Sequence, residues 1–96
     1  MTYANITIRI KNCDHDFYVD HDGYEQEIKG ALNEMLKEGR KSLKKPTDTN
    51  LKEWLVKCLA QEITEPCSWF GRGHTEFGKL YVINVINGKL IVKERS

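Results

Sequence analysis

The dipeptide Asn87–Gly88 separates two apolar, β-branched runs, YVINVI before it and KLIVKE after it. Asn-Gly is typical of a two-residue type I′ hairpin turn, because both of its residues tolerate positive φ. This turn places Val85 opposite Leu90 and Ile83 opposite Val92, so one face of the hairpin is continuously apolar. The end of the chain therefore predicts two antiparallel strands with one buried face.

The beginning of the chain also has the pattern of strands. Residues 3–11 (YANITIRIK) place their alanine and isoleucines on one face and their polar residues on the other, which predicts a strand buried on one side. After turn residues in NCDHD, residues 17–19 (FYV) predict a short second strand that pairs back on the first. We expect this short strand to be an open edge that could support a homodimer by strand pairing.

The middle of the chain predicts two amphipathic helices. The first covers residues 23–38, with Asp22 as N-cap and Glu25 completing a capping box. Gly39 is a natural stop, although RKSLKK could continue the helix for another turn before Pro46. The second follows PTDTN, where Asn50 with Glu53, or Asp48 or Thr49 alone, could form the cap. Its apolar residues recur at helical spacing: Leu51, Trp54, Leu55, Cys58 and Leu59.

These elements predict a single α+β domain over residues 1–96, in the order ββααβββ. We expect an antiparallel sheet with both helices packed on one face. Apolar residues make up 40% of the chain and charged residues 30%, as in ordinary globular domains. A net charge of +1 excludes a strongly basic nucleic-acid binder and a strongly acidic DNA mimic. No secretory signal or membrane span is visible, and three cysteines at no metal-like spacing suggest reduced thiols in the cytoplasm.

The segment DHDFYVDHDG, residues 14–23, is the first candidate site. An EF-hand register fails because it places Tyr18 and Lys29 where calcium ligands are required. Zinc bound by Cys13, His15 and His21 has no second paired motif, so we predict no metal and no other cofactor. The favoured hypothesis is an acidic surface for a partner, and its candidate residues are Asp14, His15, Asp16, Asp20 and His21.

Two further segments are candidate contact surfaces. In SWFGRGHTEFG, two glycines frame Arg72, and Trp69 and His74 lie nearby, which would suit contact with a partner. His74 with Glu76 could instead form an acid–base pair. The basic run KEGRKSLKK could contact phosphates or simply be a solvated helix end; its candidate nucleic-acid residues are Arg40, Lys41, Lys44 and Lys45. No nucleophile motif is present.

The helix start DHDGYEQEIKGALNEML and the ending TEFGKLYVINVINGKLIV resemble a loose group of small phage and prophage accessory proteins. The matching residues are Asp22, Gly23, Tyr24, Gly30, Leu32, Tyr81 and the Asn87–Gly88 turn. Glu25 replaces the proline of that pattern, and residues 38–68 are not covered. The resemblance implies an accessory phage protein and no particular reaction. By analogy, such proteins inhibit a host enzyme or a defence complex, as anti-CRISPR proteins do.

Three functions remain open at this point. The favoured one is a small non-enzymatic protein-binding module in the host cytoplasm, whose partner is a host protein or ribonucleoprotein complex rather than a membrane. The alternatives are a nucleic-acid-binding accessory protein and a small metal-dependent hydrolase built on His15, His21 and His74.

Overall fold

The computed structural model of the chain describes residues 3–20, 23–64, 70–76 and 78–95. They form one small α+β domain, which confirms the predicted class. In chain order, its elements are strands β1 (Ala4–Ile10) and β2 (Cys13–Val19), helices α1 (Glu25–Ser42) and α2 (Asp48–Ile63), and strands β3 (Phe70–Arg72), β4 (Lys79–Ile86) and β5 (Lys89–Arg95).

The strands form one mixed sheet in the order β3-β2-β1-β4-β5. Neighbouring strands are antiparallel except β1 and β4, which run parallel with Ile6 opposite Tyr81 and Ile8 opposite Ile83. The predicted wholly antiparallel sheet is therefore wrong. The alternating pattern of β1 identifies which residues face the core, but it is the same for either direction of a neighbouring strand.

The strand predicted at residues 17–19 is longer than expected and is not an edge. β2 begins at Cys13 and lies between β1 and β3, with Tyr18 opposite Gly71 and Val19 opposite Phe70. Residues 17–19 are therefore not an open edge, because β3 already pairs with them. A homodimer through an edge strand stays a prediction and would need another strand. The edges of the described sheet are β3 and β5.

The core lies between one face of the sheet and the two helices. On the sheet side, β1 contributes four inward residues (Ala4, Ile6, Ile8 and Ile10), and β2 and β4 add Phe17, Val19, Tyr81, Ile83 and Val85. The helices close this face with Ile28, Leu32 and Leu36 from α1 and Leu51, Leu55 and Leu59 from α2. Burial of these side chains is the main force that holds the layers together.

Helix α1 begins later than predicted and continues beyond Gly39. Tyr24, in an extended conformation, is the N-cap; the cap predicted at Asp22 lies outside the described residues. The helix continues through Gly39 to Ser42, which confirms the further turn over RKSLKK and not the stop at Gly39. Gly39 is buried against Trp54, and a Cβ at Gly39 would lie 2.7 Å from Trp54 Cδ1. The glycine therefore permits close packing of α2 rather than ending α1.

Helix α2 is capped by Thr47, whose side chain accepts a hydrogen bond from Asn50 N at 3.1 Å. The caps predicted at Asn50, Asp48 and Thr49 are therefore wrong. Asp48 instead accepts hydrogen bonds from the backbone N–H groups of Asn87 (3.0 Å) and Gly88 (2.8 Å). This carboxylate fixes the β4–β5 turn against the start of α2.

The β4–β5 hairpin itself is confirmed in type and register. Asn87 and Gly88 have φ values of 52° and 78°, as a type I′ turn requires. Val85 lies opposite Leu90, and Ile83 lies opposite Val92. The hairpin therefore presents one apolar face to the helices, and its other face points away from them.

Candidate functional site

The face of the sheet that points away from the core carries neither described helix, and we call it the open face. Its residues alternate in sequence with the buried ones because successive side chains of a strand point to opposite sides. They are Asn5, Thr7 and Arg9 of β1, Asp14, Asp16 and Tyr18 of β2, Leu80, Val82, Asn84 and Ile86 of β4, and Lys89, Ile91, Lys93 and Arg95 of β5.

An Arg–Asp pair lies at one end of this face. Arg9 and Asp14 are opposite each other in the β1–β2 pairing. Arg9 Nε donates to Asp14 Oδ1 at 2.7 Å and Arg9 Nη2 donates to Asp14 Oδ2 at 3.2 Å, a two-pronged arrangement. The hydrogen bond from Arg9 lowers the pKa of Asp14, and the same bond raises the pKa of Arg9. Both side chains are exposed to solvent, so the pair contributes little to the stability of the fold, but it fixes the orientation of the Arg9 guanidinium.

Next along the strands, three side chains converge on one point. Thr7 Oγ1 donates to Asp16 Oδ1 at 2.9 Å, and His74 Nε2 lies 3.1 Å from Thr7 Oγ1 and 3.2 Å from Asp16 Oδ1. Thr7 and Asp16 are opposite residues of the β1–β2 pairing, and His74 comes from the loop after β3. We call these three residues, together with Arg9 and Asp14, the polar cluster.

The loop that carries His74 is held in place by a buried asparagine. Asn5 Oδ1 accepts a hydrogen bond from Thr75 N at 2.8 Å, and Asn5 Nδ2 donates to Thr75 O at 3.3 Å. Asn5 is 7% exposed, so its amide lies under the loop instead of in water. Paired hydrogen bonds to one backbone residue fix the position of the loop. His74 is thereby positioned over Thr7 and Asp16.

The arrangement of Thr7, Asp16 and His74 does not match that of an activated nucleophile. In such triads one imidazole nitrogen accepts the hydroxyl proton while a carboxylate binds the other nitrogen. Here the carboxylate and the hydroxyl both contact Nε2, and the hydroxyl donates to the carboxylate. Within the described residues there is also no group of three or more His, Cys, Asp or Glu side chains that could hold a metal ion. The contacts fasten the loop to the sheet.

An apolar strip runs beside the polar cluster. Leu80 and Val82 of β4 and Ile91 of β5 are partly exposed on the open face, and Ile86 at the end of β4 is 49% exposed. Beyond the strip, β5 adds three cations, Lys89, Lys93 and Arg95. Polar groups therefore flank the apolar strip on both sides.

The parallel pairing of β1 with β4 ends at Ile8 and Ile83. Beyond that point, side chains form hydrogen bonds with backbone groups that no longer pair between the two strands. Lys52 Nζ of α2 donates to the carbonyl of Arg9 at 3.1 Å, and Val85 N donates to the side chain of its neighbour Asn84 at 2.8 Å. A groove of about 470 Å³ at this fork is lined by the polar cluster together with Lys52 and Asn84. Two backbone groups of the fork, the carbonyl of Arg9 and the N–H of Val85, thus have side-chain partners.

The residues predicted to contact a partner are not all in one place. Asp14, Asp16 and His74 meet in the polar cluster, where Asp16 instead of Glu76 contacts His74. His15 lies on the other side of the sheet beside Ile10 and α2. Asp20 follows the end of β2, and Arg72 is exposed in β3 opposite Phe17. His21 and Trp69 lie outside the described residues.

The sequence interpretation missed the partners of the two aspartates. Lys11 and Asn12 have φ values of 50° and 66°, so they form the two-residue turn between β1 and β2. That turn alone places Arg9 opposite Asp14 and Thr7 opposite Asp16. Within the predicted acidic surface, Asp14 is therefore paired with the cation Arg9, and Asp16 accepts a hydrogen bond from Thr7.

One residue of the basic run at the end of α1, Arg40, forms a hydrogen bond within the protein. Arg40 donates from Nη2 to the carbonyl of Gly88, which brings the end of α1 to the β4–β5 turn. Lys41, Lys44 and Lys45 are exposed. The run is thus adjacent to Lys89, the first residue of β5.

Comparisons with known proteins give no assignment: no protein family, curated protein or solved structure matches this chain. Neither α1 nor α2 is long and apolar enough to cross a membrane, and the described residues contain no other helix.

Proposed function

We propose that this protein is a non-enzymatic protein-binding module that uses the open face of its sheet. It would act in the cytoplasm as a phage-encoded inhibitor of a host enzyme or defence complex, as its resemblance to phage accessory proteins suggests. Cys13 and Cys58 are free thiols, which agrees with a reducing compartment.

One observation supports the proposal above the others. The open face combines a partly exposed apolar strip, Leu80, Val82 and Ile91, with charged groups along both sides. Protein interfaces have this organisation, with an apolar centre that loses its water and a polar rim that fixes orientation. A catalytic site would instead need a nucleophile whose proton is accepted by a positioned base, as in a triad. In the polar cluster, the Thr7 hydroxyl donates its hydrogen bond to the Asp16 carboxylate.

The polar cluster also supports binding because it is already ordered. Arg9 is held by two hydrogen bonds to Asp14, and His74 is held at Asp16 and Thr7. Side chains fixed before binding lose little rotamer entropy when a partner arrives. The cluster would therefore act as a rigid polar rim beside the apolar strip.

The proposal is tested by capture of host proteins on the immobilised chain, with the variants Val82→Glu and Tyr24→Glu. Val82 lies in the apolar strip, whereas Tyr24 is 59% exposed at the start of α1 and provides a matched control. We expect Val82→Glu to weaken capture about tenfold or more, since it would bury an unpaired charge in the interface, and Tyr24→Glu to leave it unchanged. Undiminished capture by folded Val82→Glu would refute the assignment of this face.

Nucleic-acid binding is a second candidate function, supported by the positions of the basic residues. Lys89, Lys93 and Arg95 share the open face of β5, and the Arg40–Gly88 contact places Lys41, Lys44 and Lys45 near its beginning. Such a band of cations would bind phosphates with a steep dependence on salt. Titration of mixed-sequence RNA and duplex DNA at low salt tests it, and the absence of binding there would remove this candidate.

A further inference from the structure

The two helices form a second surface, on the opposite side of the molecule from the open face. A groove of about 730 Å³ runs between the solvent-facing sides of α1 and α2. Its floor contains Met35, Trp54 and Cys58. We propose that this helix groove binds a basic amphipathic helix of a partner protein. This surface is separate from the one assigned above.

The floor of the helix groove is apolar, and its tryptophan is held in one orientation. Trp54 Nε1 donates to the carbonyl of Met35 at 2.8 Å, which fixes the plane of the indole. The absence of a side chain at Gly39 lets that ring lie against the backbone of α1. Met35 beside it is a flexible thioether that adapts to different apolar side chains. A fixed tryptophan next to a methionine forms an anchoring pocket for an apolar residue.

The thiol of Cys58 belongs to this apolar floor. Burial raises the pKa of Cys58, and the nearby carboxylate of Glu62 raises it further. The side chain is therefore a neutral thiol at pH 7, which behaves as a small apolar group.

The rim of the helix groove determines the charge of its occupant. Glu34 and Glu38 of α1 are one turn apart, and Glu62 contributes a carboxylate from α2. Among the described residues that line the groove, none is basic. Lysines or arginines of a partner would meet these carboxylates, and a cation could also lie on the face of Trp54. The negative rim disfavours nucleic acid and anionic membranes.

The two helical walls determine the shape of the occupant. The groove is bounded by α1 and α2, and Met35, Trp54 and Cys58 form an apolar patch within it. A groove of this kind binds an amphipathic helix by its apolar side. The occupant would place apolar residues toward Trp54 and Met35 and basic residues toward the two rims.

The test uses the full chain with Trp69→Phe, so that the indole N–H signal in NMR spectra belongs to Trp54. The probe is a synthetic amphipathic helical peptide of about 15 residues made of leucine and lysine, with a matched peptide in which glutamate replaces lysine. We expect the lysine peptide to shift the Trp54 indole signal and the Met35 methyl signal, and the glutamate peptide to leave both unchanged.

Two triple variants with equal charge change distinguish binding in the helix groove from general electrostatic attraction of the lysine peptide to the protein. Glu34→Gln, Glu38→Gln and Glu62→Gln together should weaken peptide binding about tenfold or more, whereas Glu27→Gln, Glu53→Gln and Glu76→Gln together should change it less than about twofold. Equal weakening by both sets, or no shift of the Trp54 signal by the lysine peptide, would overturn the proposal. Val82→Glu should bind the peptide normally, so failure here is distinguishable from failure of the open face.

Discussion

The two faces of the sheet use the same strands in different ways. On the covered face, Ile6 and Ile8 are fully buried against leucines of the helices. On the open face, the residues that alternate with them along β1, Asn5, Thr7 and Arg9, are each engaged in hydrogen bonds with a loop or with β2. The covered face thus gains stability from apolar area, whereas the open face gains order from specific polar contacts. This difference leaves the open face without a covering helix among the described residues, as its proposed binding role requires.

The largest expected effect is on the covered face. Ile8→Ala should lower the free energy of unfolding by about 3 kcal/mol, because it leaves a cavity beneath the helices. The matched change Val82→Ala on the open face should cost about 1 kcal/mol or less, since the removed groups are already partly exposed to water. Urea unfolding measures both. Equal costs would mean that the open face is packed as tightly as the core.

An intermediate effect is expected where the open face has a buried polar group. Asn5→Ala removes the acceptor of the Thr75 N–H and should cost about 1–2 kcal/mol. It should also speed hydrogen exchange of the Thr75 amide and loosen His74 from Asp16. Asn33→Ala, at an exposed position of α1, is the control. Unchanged exchange at Thr75 in Asn5→Ala would show that other contacts hold the loop.

The smallest effect is expected at the exposed Arg9–Asp14 pair. The pKa of Asp14 is lower in the folded protein than its ordinary value of 3.8, so ionised Asp14 stabilises the fold above about pH 4. This contribution disappears as the pH falls through the folded pKa. Asp14→Asn should therefore have a slightly lower Tm at pH 7 and the same Tm as the unmodified protein at the acid end of a thermal titration. A Tm difference that persists there would argue against this pair.

The sequence predicts best where its signals are local. The β4–β5 turn is specified by Asn87 and Gly88 alone, and its register follows from two residues with positive φ. The covered face follows from alternation along β1, which reports burial directly. These features need no information about distant parts of the chain.

The sequence fails where distant elements meet. Nothing within β1 indicates that β4 lies beside it in parallel, because the alternation of apolar and polar residues is the same for a parallel and an antiparallel neighbour. Gly39 was interpreted as a helix stop because its contact, Trp54, belongs to another helix. The candidate site was predicted in part: Asp14, Asp16 and His74 were identified, but their partners were missed. The turn at Lys11 and Asn12 contains no glycine, so positive φ was not expected there.

The central position of β1 has a consequence for how the protein is made. Strand β1, which is synthesised before the other four described strands, is flanked by β2 on one side and by the much later β4 on the other. Until β4 is synthesised, one edge of β1 has unpaired backbone N–H and C=O groups, and its isoleucines lack the neighbouring core side chains of β4. Folding of the sheet must therefore wait for β4, and such long-range pairing is slow and prone to aggregation. Deletions that remove the C-terminal hairpin should yield insoluble protein instead of a smaller stable domain.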